Sequence, residues 1–302
     1  MDTAMVNEVL ARYLQADLAT NTKLAYSNDV AHFKQWGGVI PATAEMVAMY
    51  LAAFAGVLAA ATLTRRVVAI HHAHIQHGHA SPIHHAMVKS TMQGIKRVHG
   101  SAQRKVRPIY KQQLEDMVDV LHGLKGKRDK ALLLIGFAGA FRRSELVAIQ
   151  VEDLSFVEEG VVIHLPHSKT DQQGVGQDVA IPYIKGKYCA VKALKQWLRF
   201  SAIHHGAVFR GITRYGKLSD KALTPQSVAL LIKHYAKAIG IHWQAVSGHS
   251  LRVGLVTNAA RAKVDTRKIR QQTRHQSDAM LQRYIRDTEL FINHPVKAIW
   301  SG

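Results

Sequence analysis

Two short stretches of this chain combine arginine with other polar residues in a pattern suited to binding a phosphate during its displacement. Residues 140–146 read AFRRSEL and follow an apolar run at 131–138, and residues 248–252 read GHSLR. In the second stretch, the i, i+3 spacing places His249 and Arg252 on one helix face. Displacement at phosphorus adds negative charge to the non-bridging oxygens, and paired arginines can neutralise it in place of a metal ion. The two stretches therefore indicate phosphoryl transfer that uses Arg142 and Arg252.

A tyrosine near the C-terminus is the candidate nucleophile for this chemistry. Tyr284 follows His275 by nine residues, and Ser277 or Asp278 between them can cap the helix that carries the tyrosine. A tyrosine considered alone most often packs with its hydroxyl at the surface. Its position after both arginine stretches is therefore what makes Tyr284 a candidate.

The elements that must position these residues are mostly helical in the second part of the chain. Residues 161–165 and 178–181 are exceptions, because they are β-branched runs on either side of the polar, glycine-containing segment 168–176. This pattern predicts a hairpin with Lys169 near its tip. The second domain is accordingly predicted to be α-rich with a small antiparallel β-sheet.

Residues 1–100 are predicted to form an N-terminal helical bundle. Apolar residues recur at helical spacing, and Gly37-Gly38 forms a plausible helix stop. The uncharged stretch 46–63 is long enough to raise the question of a membrane span, but it is only weakly hydrophobic. We interpret it as two short helices with a break near Gly56, the next helix beginning at residues 62–66 and a fourth covering 84–98.

A polar, basic segment without apolar periodicity separates the two halves. We interpret residues 101–108 as an interdomain linker. The predicted organisation is therefore a helical domain at 1–100, the linker at 101–108 and an α-rich second domain at 109–302.

The charge of the chain indicates nucleic acid as its partner. Forty Lys and Arg residues against 21 Asp and Glu residues leave a formal charge of +19. No lipidation signal or amphipathic anchor accompanies this charge, so we expect no membrane association. The single cysteine, Cys189, cannot form an internal disulfide, and no secretory leader is evident, so we expect a cytoplasmic protein.

In order and approximate spacing, these motifs resemble the active site of the tyrosine recombinases, or phage integrase family. The resemblance rests on six positions: Arg142, Lys169, His249, Arg252, His275 and Tyr284. It covers the whole second domain, and the first domain, with Thr22 and Tyr26 near its start, is similar to the family's SAM-like core-binding domain. Each motif alone is common, and their order is what makes the resemblance specific.

The resemblance implies a role for each position. Tyr284 would attack phosphorus, leaving a 3′-phosphotyrosyl bond and a free 5′-hydroxyl, while Arg142 and Arg252 clamp the non-bridging oxygens. His249 would accept or return the phenolic proton. Lys169 would protonate the departing 5′-oxygen, His275 would donate a hydrogen bond to the phosphate, and Glu145 would support the site without taking part in the chemistry. Two positions depart from the family pattern, Arg274 where glycine is frequent and Val253 where a second histidine is common.

The resemblance also implies partners. It implies double-stranded DNA with inverted-repeat target sites, a homotetramer on that DNA, possible accessory DNA-bending proteins, and no need for metal, ATP or another cofactor. The apolar C-terminal segment 290–300 would dock either on a neighbouring subunit or on its own domain. Two other functions remain open, relaxation of DNA by a type IB topoisomerase and non-catalytic regulation by a DNA-binding protein of the same fold.

Other basic residues are predicted to contact the DNA backbone, which positions a protein without specifying sequence. These residues are Arg65, Arg66, Lys96, Arg97, Arg104, Lys105 and Arg107. The tract of histidines at 71–79 has i, i+3 spacing that would suit a metal ion. No cysteine or acidic residue lies within it, so we predict a DNA-facing or solvated helix and no metal.

Overall fold

Helices dominate the fold, as the apolar periodicity predicts. The computed structural model describes residues 18–101, 106–166, 176–275, 281 and 295–300. Two compact units divide at Arg104 and Lys105, within the segment interpreted as a linker. Lys169, Tyr284, Arg104 and Lys105 lie outside the described residues.

Helices packed around one apolar core make up the first unit. They are α1 (Thr20–Gln35), α2 (Ala44–Ala53), α3 (Ala60–Gln76) and α4 (Ala86–His99), with a 3₁₀ turn at Pro82–His84. The core includes Phe33, Tyr50, Leu63 and Ile70, each fully buried. The helical content predicted for this region is therefore present, while its identity as a SAM-like domain stays a prediction.

Local chemistry explains where these helices begin and end. Helix α1 stops before Gly37, whose φ of +109° favours glycine. Thr43 caps α2, because its Oγ1 accepts the backbone N–H of Met46 at 3.1 Å. The predicted start of α3 at residues 62–66 is wrong by a few residues, since the alanines at 60–61 have high helix propensity and extend the helix to Ala60.

The second unit is α-rich and contains two small antiparallel sheets within its described residues. Its helices are α5 (Lys111–Asp119), α6 (Gly123–Ala138), α7 (Arg143–Ala148), α8 (Ala190–Ser201), α9 (Pro225–Ala238), α10 (Ser250–Arg261), α11 (Thr266–Thr273) and α12 (Pro295–Trp300). Short 3₁₀ turns lie at Val151–Asp153 and Trp243–Ala245. The predicted fold class, mainly helical with a small antiparallel sheet, is thus confirmed.

The predicted hairpin forms the larger sheet. Its strands are β1 (Leu154–Phe156), β2 (Gly160–Leu165) and β3 (Gln177–Pro182), in the order β1-β2-β3. Strand β2 pairs antiparallel with β3, and Ile163 lies opposite Val179. The sequence reasoning missed β1 and the second sheet, in which β4 (Arg210–Ile212) pairs with β5 (Leu218–Ala222).

Helix α6 lies at the centre of the apolar core of the second unit and ends just before the AFRRSEL stretch. Its side chains from Ala131 to Ile135 are buried, and they join a cluster that includes Trp197 on α8. The helix ends at Ala138, so the AFRRSEL stretch begins where the core element stops. Among the described residues, no helix is long and apolar enough to cross a lipid bilayer.

Candidate active site

A tight turn after α6 positions the first arginine of the site. Ala140 is fully buried and has a left-handed φ of +47°, and Phe141 is buried beside it. Arg142 is the residue that precedes α7, and its backbone N–H donates to Glu145 Oε2 at 2.9 Å. Its guanidinium also pairs with Glu145 Oε1. Glu145 therefore fixes both the backbone and the side chain of Arg142.

The second arginine reaches the same turn from α10. Arg252 is 1% exposed, and its Nη1 donates to the carbonyl oxygen of Ala140 at 2.8 Å. Gly248, just before this helix, allows a close approach, because a Cβ there would lie 1.8 Å from Cδ of Arg143. The AFRRSEL and GHSLR stretches, about a hundred residues apart in the chain, are thus packed against each other.

His249 lies at the N-terminus of α10 within this positive field. Burial and the charges of Arg252, Arg142 and Arg143 lower its pKa to about 4 from an ordinary value of 6.5. The imidazole is therefore neutral near pH 7 in the absence of DNA. A neutral imidazole can accept a proton, which is what the role of general base requires.

His275 follows α11 and joins the same field. Burial together with Arg252 and Arg142 lowers its pKa to about 4. Its Nδ1 lies 2.7 Å from Thr273 Oγ1, and that hydroxyl donates to the carbonyl oxygen of Ile269 at 2.7 Å. Because the hydroxyl proton of Thr273 is used in this way, its oxygen is available to accept a hydrogen bond from Nδ1–H of His275.

Arg274 connects the end of α11 to the turn before Arg142. It is 9% exposed, and its Nη1 donates to the carbonyl oxygen of Gly139 at 2.9 Å. Its Nη2 lies 3.1 Å from Glu145 Oε2. Burial alone would raise the pKa of Glu145, but the charges and hydrogen bonds of Arg274 and Arg142 outweigh burial and lower it. Glu145 is therefore an ionised carboxylate between two arginines.

The structure thus brings together four of the six residues predicted to be catalytic: Arg142, His249, Arg252 and His275. The pKa of His275 responds to the charges of the other three, which places all four within one electrostatic environment. The other two, Lys169 and Tyr284, fall outside the described residues, so their roles stay predictions. Strands β2 and β3 nevertheless form the hairpin predicted to carry Lys169.

Sequence reasoning missed two further arginines beside the site. A cleft of about 620 Å³ contains His275 and is lined by Gln177, Asp178, Arg267, Arg270, Gln271 and Arg274. Arg267 and Arg270 are exposed on α11. The signal that would have found them is the i, i+3 spacing of Arg267 and Arg270, which puts two arginines on one face of a helix just before His275.

The predicted DNA-contact residues differ in their surroundings. Lys96, Arg97 and Arg107 are exposed, as a contact to phosphate requires. The side chain of Arg65 is 52% exposed and pairs with Asp29 at 2.7 Å.

The structure contradicts the prediction that Arg66 contacts DNA. Arg66 is 8% exposed, and its Nη1 donates to the hydroxyl of Tyr50 at 2.8 Å. Its Nε also lies 3.5 Å from the buried carboxylate of Asp29. Arg66 therefore balances a buried charge inside the bundle.

The histidine tract lies partly in the core, which corrects the prediction of a solvated or DNA-facing helix. His74 is fully buried, donates through Nδ1 to the carbonyl oxygen of Ile70, and accepts the backbone N–H of Ala42 at 2.8 Å. It therefore joins α3 to the loop before α2. His77 and His79 are exposed. No cluster of three or more potential metal ligands occurs among the described residues.

Comparisons with known proteins point to the same family as the sequence motifs. The profile of the phage integrase family matches residues 107–290. An integrase/recombinase XerD homolog of Selenomonas ruminantium is 42% identical over 96% of this chain and 88% of its own length. The tyrosine recombinase XerA of Pyrococcus horikoshii is 25% identical over 56% of this chain and 54% of its own length.

Solved structures share the fold at low sequence identity. The XerH site-specific recombinase bound to a palindromic difH substrate has a TM-score of 0.64 at 16% identity, covering 86% of this chain and 73% of its own. The integrase of transposon Tn1549 bound to transposon right-end DNA has a TM-score of 0.63 at 14% identity, covering 98% and 99%. The family profile and the XerD homolog favour neither of the two alternative functions, DNA relaxation by a type IB topoisomerase or regulation by a non-catalytic DNA-binding protein. With its arginine and histidine residues gathered at one turn, this chain belongs to the phage integrase family of tyrosine recombinases, enzymes that cleave and rejoin DNA.

Proposed function

We propose that this chain recombines DNA at specific sites by using Tyr284 as the nucleophile. The hydroxyl of Tyr284 attacks a backbone phosphorus, the bond to the 5′-oxygen breaks, and the DNA 3′-end remains attached as a phosphotyrosyl ester. The observation that carries this proposal is the convergence of Arg142, Arg252 and two histidines at the turn 139–142. This is the arrangement needed to stabilise a phosphoryl-transfer transition state.

The two arginines supply the positive charge that the transition state needs. Arg142 is held by Glu145 and Arg252 by the carbonyl oxygen of Ala140, so both guanidinium groups are ordered by the protein. Donors held in place before the reaction stabilise developing charge without reorganisation. We therefore assign the non-bridging oxygens of the attacked phosphate to Arg142 and Arg252.

The histidines and Lys169 move protons. Neutral His249 accepts the proton of the attacking phenol, and Lys169 protonates the departing 5′-oxygen. A bound phosphate brings negative charge to His275 and raises its pKa, because an opposite charge favours the protonated ring. Protonated His275 then donates from Nε2 to a phosphate oxygen.

Rejoining reverses these steps with the 5′-hydroxyl of another strand. That oxygen attacks the phosphotyrosyl phosphorus, and the Tyr284 phenolate leaves and is reprotonated. One phosphodiester is broken and one is formed, so the energy of the bond is conserved and no ATP is consumed. The charge that a metal ion would otherwise neutralise is neutralised by Arg142 and Arg252.

The DNA substrate is held by further basic residues. We assign backbone phosphates to these exposed side chains and to two residues of the segment 102–105: Arg65, Lys96, Arg97, Arg104, Lys105, Arg107, Arg267 and Arg270. The formal charge of +19 supports binding to a polyanion, and the XerH relative is bound to a palindromic site. We therefore propose that the target sites on the DNA are inverted repeats. We also propose that the protein acts in the cytoplasm.

Assembly on two such sites gives a tetramer, with accessory DNA-bending proteins as possible partners. The exposed side chains of Val296, Ile299 and Trp300 on α12 favour docking on a neighbouring subunit over folding back on the same domain, because 82% of the surface of Trp300 is free.

A nicked suicide substrate tests the proposed function. Cleavage next to the nick releases a short strand, so the enzyme cannot rejoin the DNA and stays attached. We expect a protein–DNA adduct that survives denaturing electrophoresis, and strand exchange between two matched sites. Relaxation of supercoiled DNA without exchange would instead indicate a topoisomerase, and the absence of an adduct would indicate a non-catalytic protein.

A further inference from the structure

We infer that Arg274 is a positioning residue for DNA cleavage, which acts by holding Glu145 and the turn 139–140 so that Arg142 is presented to the phosphate. The inference rests on the proposed function. It goes beyond it because Arg274 has no place in the set of reacting residues.

The contacts of Arg274 are concentrated on the segment that precedes Arg142. Its guanidinium donates to the carbonyl oxygens of Gly139 at 2.9 Å and Ala140 at 3.3 Å, and its Cζ lies 5.1 Å from the centre of the Phe141 ring. It also donates to the carbonyl oxygen of Gln272, which holds the guanidinium against its own backbone. Arg274 thus joins the end of α11 to three consecutive residues before the catalytic arginine.

The backbone of Arg274 adopts a conformation that most side chains avoid. Its φ of +56° lies in the left-handed region, as does that of Ala140 at +47°. Such a conformation persists in a residue other than glycine only where the surroundings hold it. Here the backbone N–H of Arg274 donates to the carbonyl oxygens of Arg270 and Gln271, and the hydrogen bonds of the guanidinium add to that restraint. The arginine side chain thus helps to stabilise a backbone that glycine would adopt without strain.

The charge of Arg274 determines how strongly Glu145 engages Arg142. Glu145 Oε1 pairs with the guanidinium of Arg142, while Oε2 accepts from the backbone N–H of Arg142 at 2.9 Å and from Arg274 at 3.1 Å. Without Arg274, the buried carboxylate would have only Arg142 to neutralise it. It would then compete with the DNA phosphate for that guanidinium.

The pH dependence of cleavage reports this role. Glu145 faces Arg142, Arg274 and His249, and Arg274 is the strongest influence that lowers its pKa against burial. His275 faces Arg252, Arg142, His249 and Arg274, all of which lower its pKa. Removal of Arg274 raises both pKa values. Because Glu145 must be ionised to hold Arg142, the higher pKa of Glu145 moves the acid limb of the cleavage rate to higher pH, which a purely structural role would not cause.

Three single variants test the inference. Arg274→Gly removes the guanidinium and leaves the left-handed backbone unstrained. Arg274→Lys keeps a positive charge but lacks the planar fork of donors. Lys263→Gly is the matched control, because Lys263 has the same φ of +56° and an exposed side chain. Each variant is assayed on the suicide substrate, with the dissociation constant for the DNA measured separately.

We expect Arg274→Gly to form the adduct roughly a hundredfold more slowly, the scale expected when a catalytic group is displaced by about 1 Å. DNA affinity should be unchanged, and the acid limb should move to higher pH. Arg274→Lys should cleave at an intermediate rate, and Lys263→Gly at the wild-type rate. Wild-type cleavage and pH dependence in both Arg274 variants would overturn the inference, as would a loss of cleavage explained entirely by weaker DNA binding.

A double-mutant cycle with Glu145→Gln keeps the test informative if Arg274→Gly folds poorly, since the cycle can be run with Arg274→Lys. Because Arg274 acts in part through Glu145, its replacement should have a smaller effect once the carboxylate is gone. Additive effects would overturn the inference. The wild-type protein distinguishes failure of the proposed function from failure of the inference about Arg274. If the wild type forms the adduct and replacing Arg274 changes nothing, only the inference is refuted. Failure of the wild type to form an adduct refutes the proposed function and the inference with it.

Discussion

Arg252 and Arg274 donate hydrogen bonds to the same acceptor, the carbonyl oxygen of Ala140, at 2.8 and 3.3 Å. The two arginines come from the start of α10 and the end of α11, and Ala140 lies two residues before Arg142. The carbonyl oxygen of Ala140 therefore connects three segments of the site: the turn before Arg142, the start of α10 and the end of α11. The catalytic arginines are ordered by the protein before DNA binds, which is the condition for strong electrostatic catalysis.

Arg142→Ala and Arg252→Ala should each slow cleavage by roughly 10²- to 10³-fold, about 2.7–4 kcal/mol of transition-state stabilisation. The measurement is single-turnover adduct formation at saturating DNA. Arg214→Ala is the control, since Arg214 is exposed between β4 and β5 and makes none of the contacts described for the site. Near-normal cleavage by either site variant would remove that arginine from the mechanism.

The cleavage rate should have an acid limb well below the ordinary histidine value. Burial and neighbouring arginines lower the pKa of His249 to about 4, so the free enzyme keeps a neutral base at pH 6. The profile of kcat/KM reports the free enzyme, and that of kcat reports the DNA complex, in which phosphate raises the histidine pKa. We predict that the limb in kcat lies at higher pH than the limb in kcat/KM. A kcat/KM limb centred near 6.5 would be inconsistent with this site.

The free energy of unfolding should depend on pH through two of the site's histidines, His249 and His275. The pKa values of His249 and His275 are lowered from 6.5 to about 4 on folding, so between these values the unfolded chain binds more protons than the folded one. Above pH 6.5 both rings are neutral in the folded and in the unfolded chain. As pH falls from 6.5 toward 4, the unfolded chain takes up protons that the folded chain does not, so the free energy of unfolding decreases. Urea denaturation across this range should show a smaller loss for His249→Gln than for the wild type. Equal losses would mean that His249 is not responsible.

Arg66→Ala should destabilise the first unit by about 3 kcal/mol, because it removes one partner of a buried ion pair. Asp29 is 3% exposed and would keep only the half-exposed Arg65. Denaturant unfolding of the full chain measures the change, and Lys96→Ala on the exposed face of α4 is the control. Unchanged stability combined with weaker DNA binding would return Arg66 to the DNA-contact set.

Gly254→Ala should destabilise the second unit by about 1–3 kcal/mol through overpacking. A Cβ at this position in α10 would lie 2.2 Å from the carbonyl oxygen of Ile109, a backbone atom that cannot rotate away. Gly94→Ala in α4 is the matched control, because nothing lies within 4 Å of its added Cβ, and it should stabilise by about 0.5–1 kcal/mol. A neutral Gly254→Ala would show that the segment at Ile109 moves freely away from α10.

Sequence periodicity predicted the elements whose pattern is local. The β2–β3 hairpin and the stop before Gly37 follow from alternation and from glycine conformations, so both were visible in the sequence. The three-residue strands β1 and β4 were missed, because so few residues cannot establish an alternating pattern. Element type was therefore predicted better than the number of strands.

The site residues divide in the same way. Arg142, His249, Arg252 and His275 were predicted from motif order, and they converge in the structure. The burial of Arg66 and the role of Arg274 depend on contacts to residues 37 and 129 positions away in the chain, Asp29 and Glu145. No local pattern encodes such distances, and a surface arginine and a buried one look alike in sequence.

The central claim is that Tyr284 forms the bond to DNA, and peptide mapping of the trapped adduct tests it most directly. The adduct is digested with protease and nuclease, and the residue that retains a nucleotide is identified by mass spectrometry. We predict the modification on Tyr284, and no adduct from Tyr284→Phe although that variant still binds the DNA. A nucleotide on any other residue, or an adduct formed by Tyr284→Phe, would contradict the account.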